Sequence, residues 1–135
     1  MSFIENVSMD AIKHGIHYDP GPNSMVIQIV DPDHEFPKPM YQFKYVMGFR
    51  FWDNEKDEYN SISDDQADAI ADLLRLAKEE NINVIVHCHA GLCRSGAVAE
   101  CGVFIGFQDV GSKRIPNLLV KGKIMESLGY SYENS

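Results

Sequence analysis

Hydrophobic residues along this chain fall into two patterns, short runs rich in Val and Ile and longer stretches spaced at three to four positions. The short runs predict strands at residues 25–30, within 41–51 and at 83–87, because β-branched and aromatic residues cluster there between turn-forming segments. One such segment, residues 19–23, reads Asp-Pro-Gly-Pro-Asn, and another, residues 31–39, contains three prolines. These two turn-forming segments lie on either side of the strand predicted at residues 25–30.

The longer spacing predicts four helices, at residues 8–14, 61–80, 94–107 and 117–128. In the second of these, one face is formed by Ile70, Leu73, Leu74 and Ala77. Ser63 is a candidate N-cap for it, followed by acidic residues and Gln66 in the first turn. Gly129 is expected to end the last helix.

The order of these elements predicts the fold class. Strands that alternate with helices are typical of an α/β protein, here a three-layer-like sandwich with a partly parallel central sheet flanked by helices. Ligands of such sheets bind beyond the carboxyl ends of the strands. Functional side chains are therefore expected at those ends.

The most informative segment for chemistry is residues 84–96, a buried strand, a short loop with a thiol, and a helix start. A loop between a strand and a helix N-terminus can point its backbone N–H groups inward and bind an anion, which the helix dipole also favours. Gly91 relaxes the backbone of this loop, and Arg94 offers a two-pronged donor for phosphate oxygens. The thiol of Cys88 is expected to ionise readily beside these groups and to act as a nucleophile. Ser95 can hydrogen-bond the sulfur.

The sequence His-Cys-x5-Arg-Ser, with Ala-Gly inside the loop, resembles the signature of cysteine-dependent protein tyrosine phosphatases, especially the small dual-specificity phosphatases. The resemblance implies a phosphotyrosine protein phosphatase-like fold, with Cys88 as nucleophile and Arg94 as phosphate clamp. It also implies that Ser95 assists the leaving sulfur and that His87 is a buried support. The substrate phosphate would be bound by the loop residues His89, Ala90, Gly91, Leu92, Cys93 and Arg94.

In this family an Asp on a loop after a strand, some thirty residues before the nucleophile, protonates the leaving oxygen. Asp53 follows Phe51-Trp52 and lies 35 positions before Cys88, so it is the preferred general acid. Asp57 is the alternative. We interpret Trp52 as an anchor of this loop in the core, rather than a cover of the pocket.

Three cysteines do not suggest a disulfide framework, which favours a reducing, cytoplasmic setting. Cys93 is interpreted as a small filler rather than a reversible disulfide partner of Cys88, and Cys101 as a core residue. No metal or cofactor is expected. No secretory signal and no apolar run of transmembrane length is visible, and residues 1–135 are expected to form a single phosphatase domain.

The formal net charge of −8 argues against nucleic acid and anionic membranes as partners. Because the loop contains no lysine, a singly phosphorylated group is favoured over a highly charged lipid headgroup. The expected function is hydrolysis of phosphotyrosine in a protein or peptide, extending to phosphoserine and phosphothreonine if the site is shallow. Two alternatives stay open: a non-catalytic phospho-binding adaptor, and a hydrolase of a lipid or nucleic acid 5′-phosphate. The sequence does not indicate an oligomeric state.

Overall fold

A computed structural model describes residues 2–111 and 113–130 of the chain. Within these residues strands and helices alternate for most of the length. In chain order they are β1 (Phe3–Ser8), α1 (Met9–His14), β2 (Ser24–Val30), β3 (Tyr45–Arg50), α2 (Asp64–Glu80), β4 (Asn83–Cys88), α3 (Arg94–Phe104), β5 (Gln108–Asp109) and α4 (Leu118–Ser127).

The strands form one sheet in the order β3-β2-β4-β1-β5, and every pairing among the described residues is parallel. The sheet is thus more regular than the partly parallel sheet predicted. Parallel neighbours need crossover connections of a dozen or more residues, which a loop supplies between β2 and β3 and helices supply elsewhere. β4, which carries the nucleophile candidate, lies in the centre between β1 and β2.

Helices cover both faces of the sheet, which confirms the three-layer prediction. On one face α1 packs over a small core formed by Val7, Ile12, Val26 and Ile85. On the other face α2, α3 and α4 pack over the larger core, which includes Val84 and Val86 of β4. Alternate residues of β4 therefore enter different cores, as the two-residue period of a strand requires.

Side-chain caps fix the starts of three helices, and all three starts match the sequence prediction. Ser8 caps α1, Asn117 caps α4, and Ser63 forms a capping box with Gln66 at the start of α2. Helix α3 ends at Phe104, three residues earlier than predicted, because the chain turns at Gly106 (φ +112°) toward β5.

Two strands were not predicted. β1 mixes Glu5 and Asn6 with its apolar residues, and β5 is only two residues long. None of the helices in the described ranges is both long enough and apolar enough to cross a membrane. Cys101 is fully buried on α3, which confirms its predicted place in the core.

Candidate active site

The thiol of Cys88 lies at the carboxyl end of the central strand, at the base of a cavity of about 370 Å³. The loop after β2 contributes Asp31 to this cavity, and the loop after β3 contributes Asp53. Four of the six residues predicted to bind substrate also line it, namely His89, Ala90, Cys93 and Arg94. Gly91 and Leu92 do not contribute to the lining.

The segment from His89 to Cys93, which we call the signature loop, wraps closely against β1. Gly91 has φ +78°, and a Cβ there would lie 2.5 Å from the backbone carbonyl carbon of Val7. Only glycine fits both constraints. Asn6 of β1 holds the loop as well, because its side-chain amide donates a 2.8 Å hydrogen bond to the Gly91 carbonyl.

The backbone N–H groups of the signature loop are free to bind an anion. Within residues 2–111 and 113–130, none of the five donates a hydrogen bond to a protein acceptor. Backbone N–H groups without a protein partner are the donors that an anion-binding concavity requires. Helix α3 starts directly after the loop and directs its positive dipole end to the same place.

Arg94 is held by one of its nitrogens and leaves another without a partner. The side chain is buried, and Nη1 donates to Asp31 Oδ1 at 2.8 Å and to the Phe51 carbonyl at 2.7 Å. Its Nε is buried with no partner in the described part of the chain. The guanidinium is therefore oriented by the protein and retains donor capacity for a bound anion.

Ser95 lies in the first turn of α3, with its Oγ 3.2 Å from the sulfur of Cys88. Both residues are buried, so solvent does not compete with the sulfur for the hydrogen bond of the hydroxyl. A hydroxyl in this position can donate to a thiolate and stabilise its charge.

The side chain of His87 on β4 is fully buried and contacts the neighbouring strand β2. Its Nε2 lies 3.0 Å from Gln28 Oε1 on β2, and its Nδ1 lies 3.3 Å from the Cys88 carbonyl. Burial is the main cause that lowers the pKa of His87 to about 4. The hydrogen bond with the Cys88 carbonyl opposes this shift, and the Arg94 guanidinium adds to it. His87 is therefore neutral at neutral pH.

This lowered pKa predicts a loss of stability in mild acid. Between pH 6.5 and pH 4 the unfolded chain binds a proton at His87 that the folded chain does not, so stability falls as the pH falls. From pH 7.5 to pH 5 we expect His87 to account for about 2 kcal/mol of the decrease in unfolding free energy. Urea unfolding at both pH values should show a smaller decrease for His87→Gln than for the wild type. His14→Gln, which removes an exposed histidine, should retain the wild-type decrease; equal decreases in both variants would contradict the prediction.

The two candidate acids lie in different places. Asp53 lines the cavity of Cys88, and its Oδ1 accepts a 2.7 Å hydrogen bond from the side chain of Asn117. Asp57 lies beside a separate cavity and pairs with Lys123 at 3.2 Å. The structure thus brings Asp53, and not Asp57, to the cavity that holds the thiol.

The remaining two cysteines are poor nucleophiles at neutral pH. Burial, followed by the charge of Asp53, raises the pKa of Cys93, and burial raises that of Cys101 to about 12. All three cysteines are free thiols.

No protein-family model matches the sequence, and no curated protein matches it either. Among solved structures, the chain is similar to OH1 from the Orf virus, a tyrosine phosphatase that displays distinct structural features and triple substrate specificity. The TM-score is 0.57 at 13% sequence identity, over 95% of this chain and 83% of the viral chain. The chain has a tyrosine phosphatase fold. This confirms the fold that the signature residues implied.

One interpretation is wrong in this phosphatase fold. Trp52 is 36% exposed and lines the cavity, whereas the preceding Phe51 is fully buried and anchors the loop. The alternation of β3 continues for two residues past its end, which places Phe51 inward and Trp52 outward. Trp52 therefore stands at the rim of the cavity.

Sequence reasoning missed three polar residues of the site. Asp31 follows the buried strand β2, and its position at a strand end next to β4 was the available signal. Gln28 interrupts an otherwise apolar run, which indicated a buried polar partner. Asn117 was recognised only as the start of a helix, because its partner Asp53 lies 64 positions away.

Proposed function

We propose that the protein is a cysteine-dependent phosphatase that hydrolyses phosphotyrosine monoesters in proteins or peptides, with phosphoserine and phosphothreonine as further substrates. One observation carries the proposal: a buried thiol at a strand end shares one cavity with a buried arginine, and the signature loop that follows it has backbone N–H groups with no acceptor among the described residues. This set of groups suits a phosphate dianion next to a nucleophile.

In the first step the sulfur of Cys88 attacks phosphorus in line with the ester oxygen. The S–P bond forms, the P–O bond to the substrate breaks, and Asp53 gives its proton to the departing oxygen. Arg94 and the N–H groups of the signature loop stabilise the charge on the three remaining phosphoryl oxygens. The product is a cysteinyl phosphate and a free phenol.

In the second step a water molecule attacks phosphorus. Asp53, now a carboxylate, accepts the proton of this water, and the P–S bond breaks to release inorganic phosphate. The electron pair returns to the sulfur of Cys88, and Ser95, 3.2 Å away, stabilises the thiolate by donating a hydrogen bond.

The shape of the cavity rim supports an aromatic substrate. Trp52 is partly exposed and lines the cavity together with Asp53, so a phenyl ring can pack against its indole while the phosphate reaches the signature loop. The chain as a whole is acidic, and the signature loop contains no lysine, which disfavours polyphosphorylated lipid headgroups and nucleic acids. A reducing compartment such as the cytoplasm would keep the nucleophilic thiol functional.

The test of this proposal is the capture of the intermediate. The protein is mixed with an aryl phosphate carrying radioactive phosphorus and quenched in acid, and the label is located by peptide mapping. We expect steady phosphate release, with label on the peptide that contains Cys88. Binding of a phosphotyrosine peptide without any phosphate release would contradict the proposal and support the adaptor alternative.

The role proposed for Asp53 predicts a specific loss in the variant Asp53→Asn. The amide retains an oxygen that can accept the hydrogen bond from Asn117, but it has no proton to give to the leaving oxygen. We expect kcat for phosphotyrosine to fall roughly 10²-fold, and the decline of kcat at higher pH to disappear. Asp57→Asn is the matched control and should retain both the rate and the profile. If Asp53→Asn leaves kcat and its pH dependence unchanged, or if both variants lose the same activity, Asp53 is not the general acid.

A further inference from the structure

Asn117 connects two of the loops that line the cavity. It precedes α4 and is 1% exposed. Its side-chain amide donates two hydrogen bonds into the loop formed by residues 51–63. One is to Asp53 Oδ1 at 2.7 Å, and the other is to the Asn54 carbonyl at 2.8 Å.

The other polar groups of Asn117 bind different elements. Its backbone N–H donates to the carbonyl of Cys93 in the signature loop at 3.0 Å. Its Oδ1 accepts from the Val120 N–H at 3.1 Å and caps α4. One buried residue therefore ties together the signature loop, the 51–63 loop and the last helix.

We propose that Asn117 is a positioning residue that holds the carboxyl group of Asp53 over the cavity of Cys88. The inference rests on the function proposed above, in which Asp53 protonates the leaving group. Asp53 is exposed on a loop without helix or strand, and besides Asn117 its carboxyl group has the Cys93 side chain as a hydrogen-bond partner. An amide N–H donates only to an acceptor oxygen, so the bond to Oδ1 leaves the other oxygen to carry the proton.

Helix capping alone does not require this arrangement. The cap uses only Oδ1 of Asn117, and serine or aspartate caps a helix about as well as asparagine. The two bonds to the 51–63 loop are made by the amide nitrogen, which neither replacement has. The substitutions Asn117→Ser and Asn117→Asp therefore separate the cap from the contact with Asp53.

The 51–63 loop has internal hydrogen bonds in addition to the one that the Asn54 carbonyl accepts from Asn117. The N–H of Trp52 donates to the Asn60 carbonyl at 2.8 Å, and Ser61 Oγ donates to the Lys56 carbonyl at 2.7 Å. Ser61 Oγ also accepts from the Asn54 side chain at 3.1 Å. Loss of the Asn117 amide should thus release the carboxyl group of Asp53 without dismantling the loop.

The test uses the dependence of rate on the leaving group. Dinitrophenolate leaves without protonation, whereas phenol needs an acid, so a misplaced acid slows only the second reaction. For Asn117→Ser we expect kcat/KM for phenyl phosphate to fall roughly tenfold and that for dinitrophenyl phosphate to change by less than about twofold. Asn117→Asp also places a like charge beside Asp53. In this variant kcat/KM for phenyl phosphate should fall, relative to that for dinitrophenyl phosphate, at least as much as in Asn117→Ser.

Two controls complete the experiment. Asn83→Ser removes an asparagine whose side chain makes two hydrogen bonds at the opposite end of β4, and it should not change the ratio of the two rates. In an Asp53→Asn background, Asn117→Ser should reduce the rate with phenyl phosphate by less than about twofold, because the group it positions is already inactive.

Several outcomes would overturn the inference. Equal losses with both substrates would make Asn117 a purely structural residue, and an unchanged rate with phenyl phosphate would remove any role in positioning. The same holds if Asn117→Ser has its full effect in the Asp53→Asn background. If Asn117→Ser does not fold, the ratio measured for Asn117→Asp decides. Should the wild type hydrolyse no aryl phosphate, the proposed function fails and this inference fails with it.

Discussion

Cys88→Ser is expected to reduce kcat/KM for an aryl phosphate by roughly 10⁴-fold, because a serine hydroxyl is a much weaker nucleophile than the cysteine sulfur of the proposed mechanism. The replacement is nearly the same size and remains beside Ser95, so the cavity and its N–H groups should persist. Phosphate binding should therefore survive the loss of turnover. Phosphate release measures the first effect, and calorimetric titration with a phosphotyrosine peptide measures the second.

Cys101→Ser is the matched control for this substitution. Cys101 is another buried thiol, on α3, but its sulfur lies 3.7 Å from the Lys121 carbonyl and outside the cavity. We expect this variant to retain wild-type turnover. Turnover by Cys88→Ser within about tenfold of the wild type would exclude a covalent mechanism through this residue.

Arg94→Lys is expected to reduce kcat/KM roughly 10³-fold, although it preserves the charge. The guanidinium donates to Asp31 and to the Phe51 carbonyl through Nη1, while its Nε has no partner among the described residues. A lysine has a single nitrogen and cannot satisfy these acceptors and hold phosphate in a fixed fork at the same time. The loss should appear in kcat/KM and in weaker inhibition by inorganic phosphate.

Arg75→Lys provides the comparison for this substitution. Arg75 forms an exposed pair with Asp72, of a kind that contributes little to stability, and it lies away from the cavity. The Arg75→Lys variant should match the wild type in turnover and in inhibition by inorganic phosphate. Urea unfolding of both variants separates lost activity from lost structure, and near-wild-type turnover by folded Arg94→Lys would contradict the clamp role.

The central part of the site could be predicted because it is contiguous in sequence. A strand, a short loop and a helix start occupy residues 83–104, and each is specified by its own local pattern. The relative positions of Cys88, Arg94 and Ser95 follow once that pattern is folded. The same is true of the caps at Ser63 and Asn117, which depend on groups within three residues.

The rest of the fold depends on contacts that no local pattern contains. β1 has a buried polar residue, Asn6, whose partner Gly91 is 85 positions away, so its polar–apolar pattern does not identify it as a central strand. The order of the strands is likewise a property of distant pairings. Asp31 and Trp52 reach the cavity from separate loops, and only the assembled sheet brings those loops to the same edge.

The contact between the signature loop and β1 determines when the site can exist. Gly91 rests on the backbone of Val7, and β1 pairs with β4 in a register that joins Ile4 to Val84. Contacts between segments so distant in sequence form slowly, after local helices are in place. A molecule whose first strand is detached has lost the surface on which the loop is shaped. We therefore expect a nascent or half-folded chain to lack the proposed phosphatase activity, which would begin only after β1 has paired with β4.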